Sequence, residues 1–145
     1  MPARILVCDD EPHITRIIEY RLRRAGYEIE AASDGLAGWE ALQRNPPALL
    51  ITDCQMPRMN GLELCRTIRS DDRFEKLPII LLTAKGYELS SQMLHRELHV
   101  AAVMSKPFSP RELTRLVRLF ASQGEGELPP SGDTNVCSPA GEPPQ

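Results

Sequence analysis

The chain has 145 residues, 41% of them apolar, which suffices for one substantial core and is too short for two ordinary domains. Its 17 basic and 20 acidic residues leave a net charge of −3, and Glu125, Glu127, Asp133 and Glu142 all follow the last basic residue, so the part before Ser122 is close to neutral. That balance supplies no basic stripe for phosphate neutralisation, which argues against direct nucleic-acid binding, and no apolar run is long enough to span a bilayer.

Short β-branched or leucine-rich runs alternate with longer amphipathic segments, the pattern of parallel strands joined by crossover helices. The first strand is expected over Arg4 to Cys8, followed by a helix from about Pro12 to Ala25 with Ile14, Ile17, Ile18 and Leu22 at helical spacing and Gly26 as its C-terminal cap. A second strand falls near Tyr27 to Ala31, and a second helix runs over Leu36 to Arg44, where Trp39 and Leu42 read as core contacts and Asn45-Pro46-Pro47 stops it. Ala48 to Thr52 makes the third strand. After the turn residues Pro57 and Asn60-Gly61, Leu62 to Arg69 makes the third helix, and Leu77 to Leu82 is an apolar fourth strand suited to a sheet covered on both faces. A fourth helix is placed at about Glu88 to Leu98 and a fifth strand at Val100 to Ser105. The last helix opens on Ser109-Pro110-Arg111-Glu112, a capping box with proline at the first helical position, and buries Leu113, Leu116, Val117 and Phe120. Residues 1 to 121 thus make one domain. From 122 to 145 the composition turns to Gly, Pro, Ser and Glu, which cannot offset ordering entropy by burial, and the tail is expected to be disordered.

Cys8, Cys54, Cys65 and Cys137 contain no C-x-x-C pair, so structural zinc is not expected. The opening residues carry no signal-peptide pattern, and the expected location is the cytoplasm. His95 and His99 stand four apart but lack the carboxylate of a zincin motif, and they read as a solvated face. Met56 and Met59 read as loop packing, and Arg21, Arg23 and Arg24 as a solvated basic run able to meet an acidic partner.

On this scaffold the polar residues converge. Asp9 and Asp10 end the first strand, Asp53 the third, Thr83 the fourth and Lys106 the fifth, all at carboxyl ends, where open parallel sheets bind ligands. Three carboxylates in one crevice repel one another and call for a cation. Oxygen-only donors favour a hard ion, and few protein ligands completed by water and a phosphoryl group suit Mg2+. With the ion in place a carboxylate can attack phosphorus, Lys106 can neutralise the phosphoryl oxygens, and Thr83 can offer its hydroxyl to the product.

Asp9-Asp10-Glu11-Pro12, Ile51-Thr52-Asp53-Cys54-Gln55-Met56-Pro57 with Asn60-Gly61, Leu82-Thr83-Ala84, and Ser105-Lys106-Pro107-Phe108 together resemble the CheY-like receiver family over residues 3 to 121. The resemblance implies a flavodoxin-like, doubly wound α/β/α fold: a five-stranded parallel sheet of order 2-1-3-4-5 with five helices. It implies Asp53 as phosphoacceptor, Thr83 as switch hydroxyl, Lys106 as phosphate-binding ammonium, and a cis bond before Pro107. Asp10, Asp53 and the Gln55 carbonyl would ligate Mg2+, with Asp9 acting mainly through water. The expected donor is a sensor histidine kinase, a histidine phosphotransfer protein or a small phosphodonor, and output would use the surface of the fourth helix, fifth strand and last helix. A phosphorylation-switched, stand-alone signalling domain is therefore expected, with only self-phosphorylation and self-dephosphorylation as chemistry rather than enzyme activity on another substrate.

Three residues before Lys106 the family commonly carries Tyr or Phe, whereas here stands Val103, so the usual aromatic switch cannot operate. The Gly-Ala-Asp-Asp lead-in is also missing, and Gln55 and Lys85 hold positions where the family varies phosphoryl lifetime. The substitution at Val103 favours an alternative, a degenerate receiver binding partners without phosphorylation; the complete acceptor set opposes it. A haloacid-dehalogenase-type phosphatase would need an acid where Gln55 stands, and a flavodoxin would need a hydroxyl-rich loop where Asp9-Asp10-Glu11 would repel a flavin phosphate.

Overall fold

Five parallel strands form the sheet of the computed structural model, which describes residues 3–84, 96 and 98–121. They are β1 (Arg4–Cys8), β2 (Glu28–Ala32), β3 (Leu49–Asp53), β4 (Ile79–Thr83) and β5 (Ala102–Ser105), in spatial order β2-β1-β3-β4-β5. That is the expected order 2-1-3-4-5, and the switch in winding direction falls between β1 and β3. Four helices are described: α1 (Pro12–Arg24), α2 (Gly35–Arg44), α3 (Gly61–Arg69) and α4 (Pro110–Ala121). The helix expected at Glu88 to Leu98 lies outside the described residues except for Arg96 and Leu98, and so does the tail from 122 to 145.

Period-two alternation along the strands sends side chains to both faces of the sheet and builds two cores. Leu6, Cys8, Leu50, Ile79 and Leu81 pack with Leu42 of α2 and with Leu64 and Ile68 of α3 on one face; Trp39 borders this cluster and meets Phe74 edge-on. Ile5, Val7, Leu49, Ile51, Ile80 and Leu82 pack with Ile18 and Leu22 of α1 and with Leu113, Leu116, Val117 and Phe120 of α4 on the other. Two covered faces explain why β3 and β4 are buried along their whole length and apolar until the polar residues at their carboxyl ends. The result is the expected three-layer α/β/α arrangement.

Local chemistry sets most boundaries. Gly26 follows α1 at φ +101°, the left-handed conformation anticipated for its cap. Ser109 accepts from the Glu112 amide at 3.2 Å, but the Glu112 carboxylate turns to Arg115 at 2.8 Å, so the capping box foreseen there is only half made. A complete box forms instead at α3, where Asn60 accepts from the Glu63 amide and Glu63 accepts from the Asn60 amide, both at 2.9 Å. Between α3 and β4 a short 3-10 turn, Asp72–Phe74, had no counterpart in the sequence reading.

Candidate functional site

Four of the five strands, β1, β3, β4 and β5, each deliver part of the crevice. Asp9 follows β1 directly, Asp53 and Thr83 are the last residues of β3 and β4, and Lys106 follows β5. The parallel register sets Asp53 beside Leu82 and Thr83 beside Ser105, and the Lys106 amide donates to the Thr83 carbonyl at 2.8 Å. The Lys106–Pro107 bond is cis, in agreement with the resemblance.

Asp9, Asp53 and Thr83 are buried, whereas Asp10 is exposed. Asp9, Asp10 and Asp53 each offer an oxygen, and these oxygens lie within 4.8 Å of one another. The Lys106 ammonium sits beside this trio, 3.1 Å from Asp9 Oδ2 and 3.4 Å from Asp53 Oδ1. The other Asp9 oxygen accepts from the Glu11 amide at 2.9 Å, while Oδ2 is fully buried and receives no well-directed hydrogen bond despite its cationic neighbour.

Crowding shifts the titration of these groups. Burial pushes the Asp53 carboxyl up to about 6, and the charges on Asp9 and Asp10 push the same way against Lys106. Asp9 is also raised, by burial, with the Glu11 amide and Lys106 pulling back. Burial opposes the charge on Lys106, yet Glu11, Asp9 and Asp53 outweigh it and hold the ammonium above its ordinary value. One cation thus faces a surplus of buried anionic oxygen. A pocket of hard donors with an under-bonded buried carboxylate oxygen fits a divalent cation of the magnesium class.

The loop after Asp53 is tied down on both sides. The Cys54 amide donates to Leu82, and the Gly61 amide donates back to Cys54. A Cβ on Gly61 would stand 2.0 Å from the Asp53 carbonyl oxygen, so only glycine lets α3 start this close to the acceptor strand. Arg58, at φ +68°, forks onto Asp34 through Nε at 3.1 Å and Nη2 at 2.9 Å, while Asp34 caps α2 through the Ala37 amide. Met56 is buried and Met59 packs against the same core, in line with loop packing; Gln55 is exposed. Val103 pairs with Leu81 and packs into the core on the α2/α3 face.

The expected convergence of Asp9, Asp10, Asp53, Thr83 and Lys106 on one sheet edge is present. Sequence reasoning gave no role to Glu11, Asp34 or Arg58; the Asn60-x-x-Glu63 spacing was available as a signal, whereas the Arg58–Asp34 pair spans separate loops. His99 is exposed at φ +53°, and His95, Lys85 and Cys137 lie outside the described residues. Cys8, Cys54 and Cys65 are free and buried, and burial pushes each thiol up to about 12. No described helix is long and apolar enough to cross a membrane.

Comparison with known proteins agrees with this geometry. The family described as response regulator receiver domain matches residues 5–118. The alkaline phosphatase synthesis transcriptional regulatory protein PhoP of Bacillus subtilis is 36% identical over 131 residues, 90% of this chain and 53% of PhoP, so the chain spans about half the length of that relative. Chemotaxis protein CheY1 of Helicobacter pylori is 40% identical over 112 residues, 76% of this chain and 90% of CheY1. Among solved structures, chemotaxis response regulator CheY4 of Vibrio cholerae aligns with a TM-score of 0.74 and 26% identity over 81% of this chain and 98% of its own. The sheet order, the acidic crevice and a family match over most of the described residues have one reading: the chain belongs to the response regulator receiver domains of two-component signalling.

Proposed function

We propose that Asp53 accepts a phosphoryl group from the phosphohistidine of a histidine kinase or phosphotransfer protein, and that the chain acts as a phosphorylation-switched binding domain rather than as an enzyme on a separate substrate. The observation that carries this reading is the placement of Lys106 Nζ 3.4 Å from Asp53 Oδ1, inside a group of three carboxylates. Asp10, Asp53 and the Gln55 carbonyl would hold Mg2+, with Asp9 oriented toward its water. When bound, that ion would supply the positive charge that offsets both the carboxylates and the phosphoryl oxygens.

Asp53 provides the nucleophilic oxygen. An O–P bond to Asp53 forms as the donor's N–P bond breaks, and the imidazole leaves with the bonding electron pair, as a neutral ring when its other nitrogen carries a proton. Lys106 steadies the incoming charge, and the buried Thr83 hydroxyl, one strand over, offers a hydrogen bond to the product. Because Val103 replaces the customary aromatic, the output would travel through the Thr83–Lys106 backbone link into β5 rather than through a ring rotation.

The test is intact-protein mass spectrometry after incubation with acetyl phosphate and Mg2+, with Asp53→Asn as control. Gain of one phosphoryl group that needs both the ion and Asp53 is expected. No gain, together with no binding of beryllofluoride, would leave the phosphorylation-independent binding module as the reading.

A further inference from the structure

Glu11 is the closest anionic neighbour of Lys106, at 2.9 Å, against 3.1 Å for Asp9 and 3.4 Å for Asp53. It stands at the N-cap of α1, yet its side chain caps nothing and reaches instead across the mouth of the crevice to the residue after β5. Its backbone is fixed by the Asp9 carboxylate, which accepts from the Glu11 amide. Unlike Asp9, Asp10 and Asp53, Glu11 is outside the trio whose oxygens converge, and its side chain is 47% exposed. Its carboxylate therefore has one visible task, to hold the ammonium.

We propose that Glu11 is a positioning residue that restrains Lys106 at the crevice mouth in the unmodified protein and must release it for the ammonium to serve a phosphoryl group on Asp53. The ammonium hydrogen-bonds Glu11 and stands only at ion-pair distance from Asp9 and Asp53. Phosphorylation places new anionic oxygens on the partner that Lys106 now holds most loosely, so the ammonium must trade its shortest contact for the phosphoryl group. Glu11, being exposed, can be surrendered to water at small cost, whereas the buried Asp9 cannot. The trade couples the β1–α1 turn to the β5–α4 turn, and ties occupancy of Asp53 to whether that bridge across the crevice is closed. This role deepens the phosphoacceptor reading and rests on it.

The test compares Glu11→Gln, which removes the charge, with Glu11→Asp, which keeps the charge but is one methylene shorter. Phosphoryl acceptance from acetyl phosphate and beryllofluoride affinity are followed at fixed Mg2+. Loss of one exposed ion pair predicts a gain of roughly two- to five-fold in both variants. If Glu11 acts only by repelling an anionic donor, Glu11→Asp will match the native chain, and that result overturns the proposal. Equal or slower acceptance in both variants overturns it as well. A second readout needs no phosphoryl chemistry: the 15N spectrum of the Lys106 ammonium should show slowly exchanging protons in the native chain and fast exchange in both variants. Slow exchange that persists in both variants overturns the restraint. Should the native chain accept no phosphoryl group, the phosphoacceptor reading fails while this spectrum still decides whether Glu11 holds Lys106.

Discussion

Asp53 must be both buried and anionic, and those demands conflict. Its folded carboxyl is raised to about 6 by burial and by Asp9, above the ordinary value of 3.8, so the folded state binds its proton more tightly than the unfolded chain does. The associated stability is fully present below about pH 4 and is lost as pH rises through about 6. At pH 7 without divalent cation the ionised residue therefore weakens the fold, by about 1–3 kcal/mol from the size of the shift. Asp53→Asn should be more stable than the native chain at pH 7, with the difference closing toward pH 4; a denaturant titration at both pH values measures it, and an Asn variant that is less stable at pH 7 would overturn this account. The five side chains that meet here were legible because each terminates a strand or stands within two residues of its end. Glu11 was not, since its contact with Lys106 spans most of the domain and no local pattern announces a pair at that separation.

At the scale of elements, strands and helices were readable because two-sided burial forces their composition. The errors fall where side chains choose among partners: Glu112 prefers Arg115 to its own helix start, and the 3-10 turn is closed by Asp71 accepting from the Arg73 amide, a contact with no periodic signature. The β3–α3 loop is the element on which metal binding would depend, because it carries Gln55 between two anchors. Arg58 pays for a left-handed backbone with a forked contact to Asp34, and Arg58→Ala keeps the strained backbone while losing the fork. Such a change should weaken Mg2+ binding several-fold with little loss of stability, since Asp34 is buried but the guanidinium end of the pair lies largely in solvent, which limits its contribution to about 0–1 kcal/mol. Isothermal titration against thermal melting separates the two effects, and unchanged affinity would free the loop from this role. At the other anchor, Gly61→Ala drives a methyl group into the Asp53 carbonyl, and a loss of about 1–3 kcal/mol is expected from the forced backbone shift. A denaturant midpoint equal to that of the native chain would show that α3 can move away from β3 without cost.

For the molecule as a whole, the two edges of the sheet are built on opposite terms. The carboxyl edge gathers like charges, whose repulsion the proposed Mg2+ would relieve. Toward the amino edge Arg69, at the end of α3, donates to the carbonyls of Phe74, Glu75, Leu77, Leu98 and His99 at 2.7–3.1 Å. Those carbonyls belong to the 3-10 turn and to the approaches to β4 and β5, so one guanidinium staples segments about 30 residues apart in sequence. Removing it strands partly buried carbonyls, and Arg69→Met should cost about 2–4 kcal/mol, with Arg69→Lys intermediate because an ammonium cannot reproduce the fork. Because the staple and the acidic crevice lie at opposite ends of the strands and share no side chain, their effects should add. If Mg2+ binds as proposed, the ion at a hundred times its dissociation constant would stabilise by about 2.7 kcal/mol, and that increment should be the same in the native chain and in Arg69→Met. Denaturant titrations with and without the ion test this. An increment that shrinks in Arg69→Met would mean that loosening the amino edge reaches the strand ends, and the sheet would then have to be treated as one coupled unit rather than as a rigid frame holding two independent sites.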